Sequence, residues 1–111
     1  MAGKMLTEIN EQNFDEEVLN SDIPVFACFT ASWCSSCFPT CLVADELFGE
    51  YNGKVKFIRV DIEESADTAE RYHITAVPTI LVFKESKVMK KLLSYQDRNY
   101  IKSILDSLAA E

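Results

Sequence analysis

Ile23 to Thr30 reads as a continuous apolar run rather than an alternating one. A strand with apolar side chains at successive positions is covered on both faces, so this segment should be central in a sheet that carries layers on either side. Directly after it come Trp33-Cys34-Ser35-Ser36-Cys37, and Val77-Pro78-Thr79 stands later in front of a second apolar run. Two cysteines separated by two residues at the junction of a strand and a helix are suited to reversible thiol and disulfide chemistry.

The rest of the chain supplies the layers. Met5 to Ile9 is expected as a short strand, and Asn10 to Leu19 as a helix with an acidic first turn and Phe14, Val18 and Leu19 facing inward. From Cys34 to Tyr51 the residues Cys37, Cys41, Ala44, Leu47, Phe48 and Tyr51 repeat with helical spacing, and Gly49 and Gly53 mark its end. Val55 to Ile62 is the next strand and Ser65 to Tyr72 a short helix. Thr79 to Phe83 and Val88 to Leu93 form two strands across the turn Lys84 to Lys87. Asp97 to Ala110 closes as a helix with Tyr100, Ile101, Ile104, Leu105 and Leu108 on one face. The order implies an α/β sandwich, a mixed central sheet with helices on both faces.

With 111 residues and 48% hydrophobic content, the chain is expected to form one domain, residues 1–111, around one core. No repeat or Gly/Ser/Pro-rich linker interrupts it. The net charge of -7 offers no basic field for phosphate backbones or anionic lipid, which excludes nucleic acid and membrane surfaces as partners. Met1 to Gln12 mixes Lys4, Glu8 and Glu11 with short apolar stretches, without the apolar core of a secretory signal, and no segment suits a membrane helix. The expected location is therefore the cytoplasm. There, four cysteines are read as thiols, metal ligands or a working redox pair rather than a structural disulfide framework.

Strand, Trp-Cys-x-x-Cys, long helix, strand ending in Val60-Asp61, short helix, Val-Pro-Thr, hairpin and helix: over almost the whole chain this resembles thioredoxin. The resemblance implies the thioredoxin fold and a thiol–disulfide oxidoreductase that reduces protein disulfides. It makes Cys34 the nucleophile and Cys37 the resolving thiol, with no cofactor beyond the redox-active Cys34–Cys37 disulfide. Physical chemistry agrees with that order, because a thiolate at a helix N-terminus is stabilised by free N–H groups and the macrodipole, whereas one a turn further in gains less. Pro78 resembles the cis-proline facing the cysteines in this fold, and Trp33, Ala76, Val77, Pro78 and Thr79 are the expected substrate groove. The implied partners are protein disulfides and a thioredoxin reductase, and the implied state is a monomer.

Several residues depart from the family pattern. The spacer is Ser35-Ser36 in place of Gly-Pro, which removes a backbone constraint and adds hydroxyls able to donate to the Cys34 thiolate. Where the family buries an aspartate that helps move the proton of the resolving thiol, this chain has Cys28, and the lysine often beside it is Phe57. The expected result is a more apolar core and slower resolution by Cys37. Leu42 takes the place of the helix-kinking proline, with Pro39 expected to bend the helix earlier instead. Cys41 lies one helical turn after Cys37, and Cys28 should lie on the strand beneath that face. Cys28 and Cys41 read as small buried hydrophobes, as further redox thiols, or as members of a metal site with Cys34 and Cys37. His73, where relatives often have glycine, is expected as a C-terminal helix cap with positive φ. Lys87, Lys90 and Lys91 read as protection of an edge strand.

The alternative from another class is a thioredoxin-fold binding or scaffold module without turnover, its Cys34, Cys37 and Cys41 holding a metal. An intact Cys-x-x-Cys weighs against it, since an adaptor has no need of both sulfurs. The missing carboxylate weighs mildly for it, and no metal is assigned.

Overall fold

The computed structural model describes residues 7–51, 53–93 and 97–109. Among the described residues Val25–Thr30 (β2) is the middle strand of five, and all six of its residues are buried. The spatial order is β1-β3-β2-β4-β5, with β1 Thr7–Ile9, β3 Lys56–Asp61, β4 Thr79–Lys84 and β5 Lys87–Leu93. β1 and β2 each run parallel to β3, whereas β4 is antiparallel to both β2 and β5. The sheet is therefore mixed, as expected, and Met5 and Leu6 of the expected first strand lie outside the described residues.

Alternation along β2 divides the core in two. Phe26 and Cys28 face a cluster with Phe57, Ile80 and Val82 that is capped by Cys37–Tyr51 (α1) and Arg98–Ala109 (α3). Val25, Ala27 and Phe29 face the opposite side, with Ile58, Val60, Leu81 and Phe83 under Phe14, Val18 and Tyr72. Full burial of a side chain such as Phe26 contributes about 1.5–3 kcal/mol, so the apolar run stabilises both layers at once. In α3, Ile101, Ile104, Leu105 and Leu108 are buried as expected. Tyr100 is not: it stays 44% exposed at the rim of that face. In α1, Thr40 and Val43 join the buried stripe, positions that the spacing argument passed over.

The first expected helix is shorter than its pattern. Asn10 Oδ1 accepts from the N–H groups of Gln12 and Asn13, and Asn13 Oδ1 accepts from the N–H of Asn10. These bonds satisfy N–H groups that a helix start leaves unpaired, as a cap does, and a single π-type turn, Asp15–Leu19, follows. Phe14 and Val18 still reach the core.

Two turns set the loops near the functional end. The helix Ala66–Arg71 (α2) ends with His73 at φ 57, its N–H donating to the carbonyl of Glu70 while Ile74 N–H donates to Ala69. This is a Schellman closure with a left-handed residue at its apex, and it turns the chain toward Val77. Glu85 and Ser86 both have positive φ (54 and 70), the signature of a two-residue type I′ hairpin between β4 and β5.

Candidate active site

β4 is antiparallel to β2, so its N-terminal end lies beside the C-terminal end of β2, with Thr79 paired to Phe29. The register thus brings the Val77–Pro78 segment and the residues after Thr30 to one end of the sheet. The Val77–Pro78 bond is cis. Ala76 is exposed, Val77 half-buried and Pro78 buried. The Thr79 hydroxyl donates to the Ala76 carbonyl at 2.7 Å and the whole residue is buried, so it braces the loop from beneath.

Cys34 and Cys37 are joined as a disulfide with their Cα atoms 5.4 Å apart. The α-helix begins at Cys37 rather than Cys34, because the preceding residues are held by tighter turn bonds, Cys37 N–H to Cys34 O and Phe38 N–H to Ser35 O. Cys34 is half-buried three residues before the start of α1, whereas Cys37 is only 4% exposed. Of the spacer residues, both exposed, Ser36 places its hydroxyl oxygen 3.5 Å from Cys34 Sγ. Pro39 falls on the third residue of α1, where an N–H has no intrahelical acceptor, so it breaks no ladder bond and the kink expected there has no cause.

Trp33 is 66% exposed, yet its ring is anchored. Its indole N–H donates to one oxygen of Glu63 at 3.1 Å, and the Ser32 hydroxyl donates to the other at 3.2 Å. Glu63 follows β3 and escaped the sequence reading, since nothing in its local pattern marks a residue thirty positions away from its partner. Phe38 and Leu42, also exposed, extend the apolar surface along α1.

On the β3 side a cleft of about 260 Å³ is lined by Thr30, Ser32, Cys34, Cys37, Cys41 and Arg59, among others. Arg59 pairs in register with Cys28, so it projects from the same face of the sheet. The substitution of Cys28 and Phe57 for a buried polar pair therefore does not leave a purely apolar spot: a guanidinium reaches it from the next strand. Cys28 is fully buried and Cys41 half-buried. A hydrogen bond between the two thiols, burial of Cys28 and the charge of Arg59 set their protonation. The bond to Cys41, then burial, push the Cys28 thiol well up. The same bond, aided by Arg59 and opposed by partial burial and Asp45, lowers Cys41 from 9.0 to about 7. Among the described residues no group of three or more Cys, His, Asp or Glu side chains is arranged to hold a metal ion. His73 is exposed at its helix cap and stands apart from the cysteines lining the cleft.

The thioredoxin family model matches residues 5–107. Thioredoxin 2 of Chlorobaculum tepidum is 37% identical over 106 residues, covering 96% of each chain. Thioredoxin C-2 of Corynebacterium nephridii is 34% identical over 101 residues, 91% of this chain and 94% of its own. Thioredoxin of Rickettsia conorii is 35% identical over 102 residues, 92% and 94% respectively.

Proposed function

The chain belongs to the thioredoxin family, and from that premise we propose that Cys34 is the attacking thiol and Cys37 the resolving thiol of its activity. The activity itself is thiol–disulfide oxidoreduction on protein disulfides. The Cys34 thiolate attacks one sulfur of the substrate disulfide, forming a mixed disulfide and expelling a substrate thiolate that takes up a proton. Cys37 then loses its proton and attacks Cys34 Sγ, closing the Cys34–Cys37 bond and releasing the second substrate thiol. Two electrons pass from the protein dithiol to the substrate.

One observation carries the order of events: the two bonded sulfurs belong to unequally exposed residues, Cys34 half-buried and Cys37 buried. An incoming disulfide meets the accessible sulfur first. Trp33, held by Glu63, with Ala76, Val77 and Pro78, would bind an extended segment of substrate chain with little side-chain selectivity. The reading extends to a single-domain monomer in the cytoplasm, re-reduced by a thioredoxin reductase. The scaffold alternative has only the missing carboxylate in its favour, against an intact Cys34–Cys37 pair.

The test is a Cys37→Ser variant incubated with a disulfide-bonded protein. A stable mixed disulfide on Cys34 is expected, and NADPH-coupled turnover should be lost. A mixed disulfide forming on Cys37 of a Cys34→Ser variant at the wild-type rate would reverse the assignment.

A further inference from the structure

The outer strand β5 departs from strict alternation at one residue. In its pairing with β4, Val82 stands opposite Lys90 and Phe83 opposite Val88, so Met89 is the extra residue of a β-bulge. A bulge re-aims a side chain, and here it sets Met89 and Lys90, neighbours in the chain, into the wall of one groove. That groove, about 370 Å³, runs between β5 and α3; Tyr100, Ile104 and Leu108 supply its other wall. Ile104 and Leu108 belong to the core, but Met89 is 47% exposed and Tyr100 also faces solvent. Met and Tyr are the side chains that interfaces favour, Met because it adapts its shape and Tyr because it brings a large, stiff ring.

Charge says what fits there. Acidic residues outnumber basic ones 18 to 11 in the chain, yet no carboxylate lines the groove. Asp106, on the same stretch of α3, accepts from the Tyr51 hydroxyl instead. Lys84 and Lys87 are paired across the hairpin and share the α3 side of the sheet with Lys90, and Lys84 donates to the Leu108 carbonyl at 3.2 Å. Lys56, Arg71, Arg98 and Lys102 each pair with a carboxylate, whereas among the described residues none stands within ion-pair reach of Lys87 or Lys90.

We propose that the groove between β5 and α3 is a docking site for an acidic, amphipathic segment of a partner protein, its apolar side chains against Met89 and Tyr100 and its carboxylates on Lys87 and Lys90. The bulge and the lysines discourage an added strand, so the segment binds through side chains. They also disfavour a second copy, because edge-to-edge pairing would bring two lysine-rich strands together. A net charge of -7 opposes approach to an anionic bilayer. Leu93, not Met89, is the β5 residue paired with Thr79, so a segment seated in the groove leaves the Cys34–Cys37 end of the sheet open.

The probe is a fluorescein-labelled peptide of about ten residues, glutamates around a central leucine–phenylalanine pair, titrated into full-length protein. Chemical-shift changes centred on Met89, Lys90 and Tyr100 are expected, with no binding of a matching peptide in which lysines replace the glutamates. Tyr100→Ser should weaken binding about tenfold. Lys90→Glu should weaken it about fivefold at low ionic strength and less at about 0.5 M salt. Both variants change exposed residues, and both should reduce a small aromatic disulfide at the wild-type rate, which shows that the fold is intact. Absence of shifts in the groove at millimolar peptide would overturn the proposal, as would shifts centred on Trp33 and Val77 or equal affinity for the lysine peptide. A concentration-dependent dimer abolished by Met89→Glu would make the occupant a second copy and overturn it too. So would binding to anionic phospholipid vesicles that Lys90→Glu abolishes. The wild-type shift map decides the matter on its own should a variant not fold.

Discussion

Replacing Cys28 by aspartate tests how this protein moves the proton of Cys37. The position is fully buried, and its thiol is already pushed well up by the Cys41 hydrogen bond and by burial, with Arg59 the weakest influence and opposite in sign. A carboxyl placed there meets the same burial, which raises such a group by up to about 3–5 units. At the lower end, roughly 3 units at about 1.36 kcal/mol each, the ionised form of the introduced carboxyl would cost the fold about 4 kcal/mol. That leaves a folded protein if its stability is in the ordinary range of about 5–15 kcal/mol. The sign follows from a folded pKa above the unfolded one. Below about pH 4 both states are protonated and no penalty exists; it grows as pH rises toward about 7 and is level beyond. In return the site gains a proton acceptor, and a positioned base accelerates a proton-transfer step by about 10² or more. A chromogenic aromatic disulfide mixed with reduced protein releases thiolate first by Cys34 attack and then by Cys37 closure. The second phase alone should speed up in Cys28→Asp, by about 10² at pH 8 and little at pH 5. A folded variant with an unchanged second phase at pH 8, or a denaturation midpoint whose deficit does not widen with pH, would refute the reasoning.

Two further predictions rest on contacts away from the cysteines. Glu63→Ala removes the acceptor of both Trp33 and Ser32. Because the chain has 1 tryptophan, its fluorescence anisotropy reports the freed ring directly and should fall. KM for a protein disulfide should rise about two- to fivefold, equivalent to about 0.5–1 kcal/mol, with kcat nearly constant; a drop in kcat at unchanged anisotropy would contradict this role. Glu85→Asn places a residue that tolerates the left-handed region at φ 54 of the hairpin turn, and should raise stability by about 0.5–1 kcal/mol in a denaturant titration.

Much of the architecture was legible because it rests on local pattern. The unbroken apolar run before Cys34 suits a strand buried on both sides, and it is the centre of the sheet. His73 signalled a left-handed helix end, which is where it sits. Element ends were less legible. Asn10 and Asn13 cap the chain as at a helix start, yet the helical segment that follows is one turn, Asp15–Leu19. α1 starts at Cys37 because main-chain bonds close the Cys34–Cys37 segment in tighter turns than an α-helix, and Pro39 consequently sits where proline is harmless.

Sequence alone determined the chemistry available here: a Cys-x-x-Cys pair at a strand end, a proline before another strand, and cysteine where a carboxylate is usual. Those are statements about neighbours in the chain, and covalent spacing carries them. What stands around the pair was decided by folding. Parallel pairing of β2 with β3 sets Arg59 beside Cys28, packing of α1 onto the sheet sets Cys41 against both, and the end of β3 delivers Glu63 to Trp33. Such contacts join residues far apart in sequence through sheet register and helix packing, and their charges and hydrogen bonds act only at distances that the folded state creates.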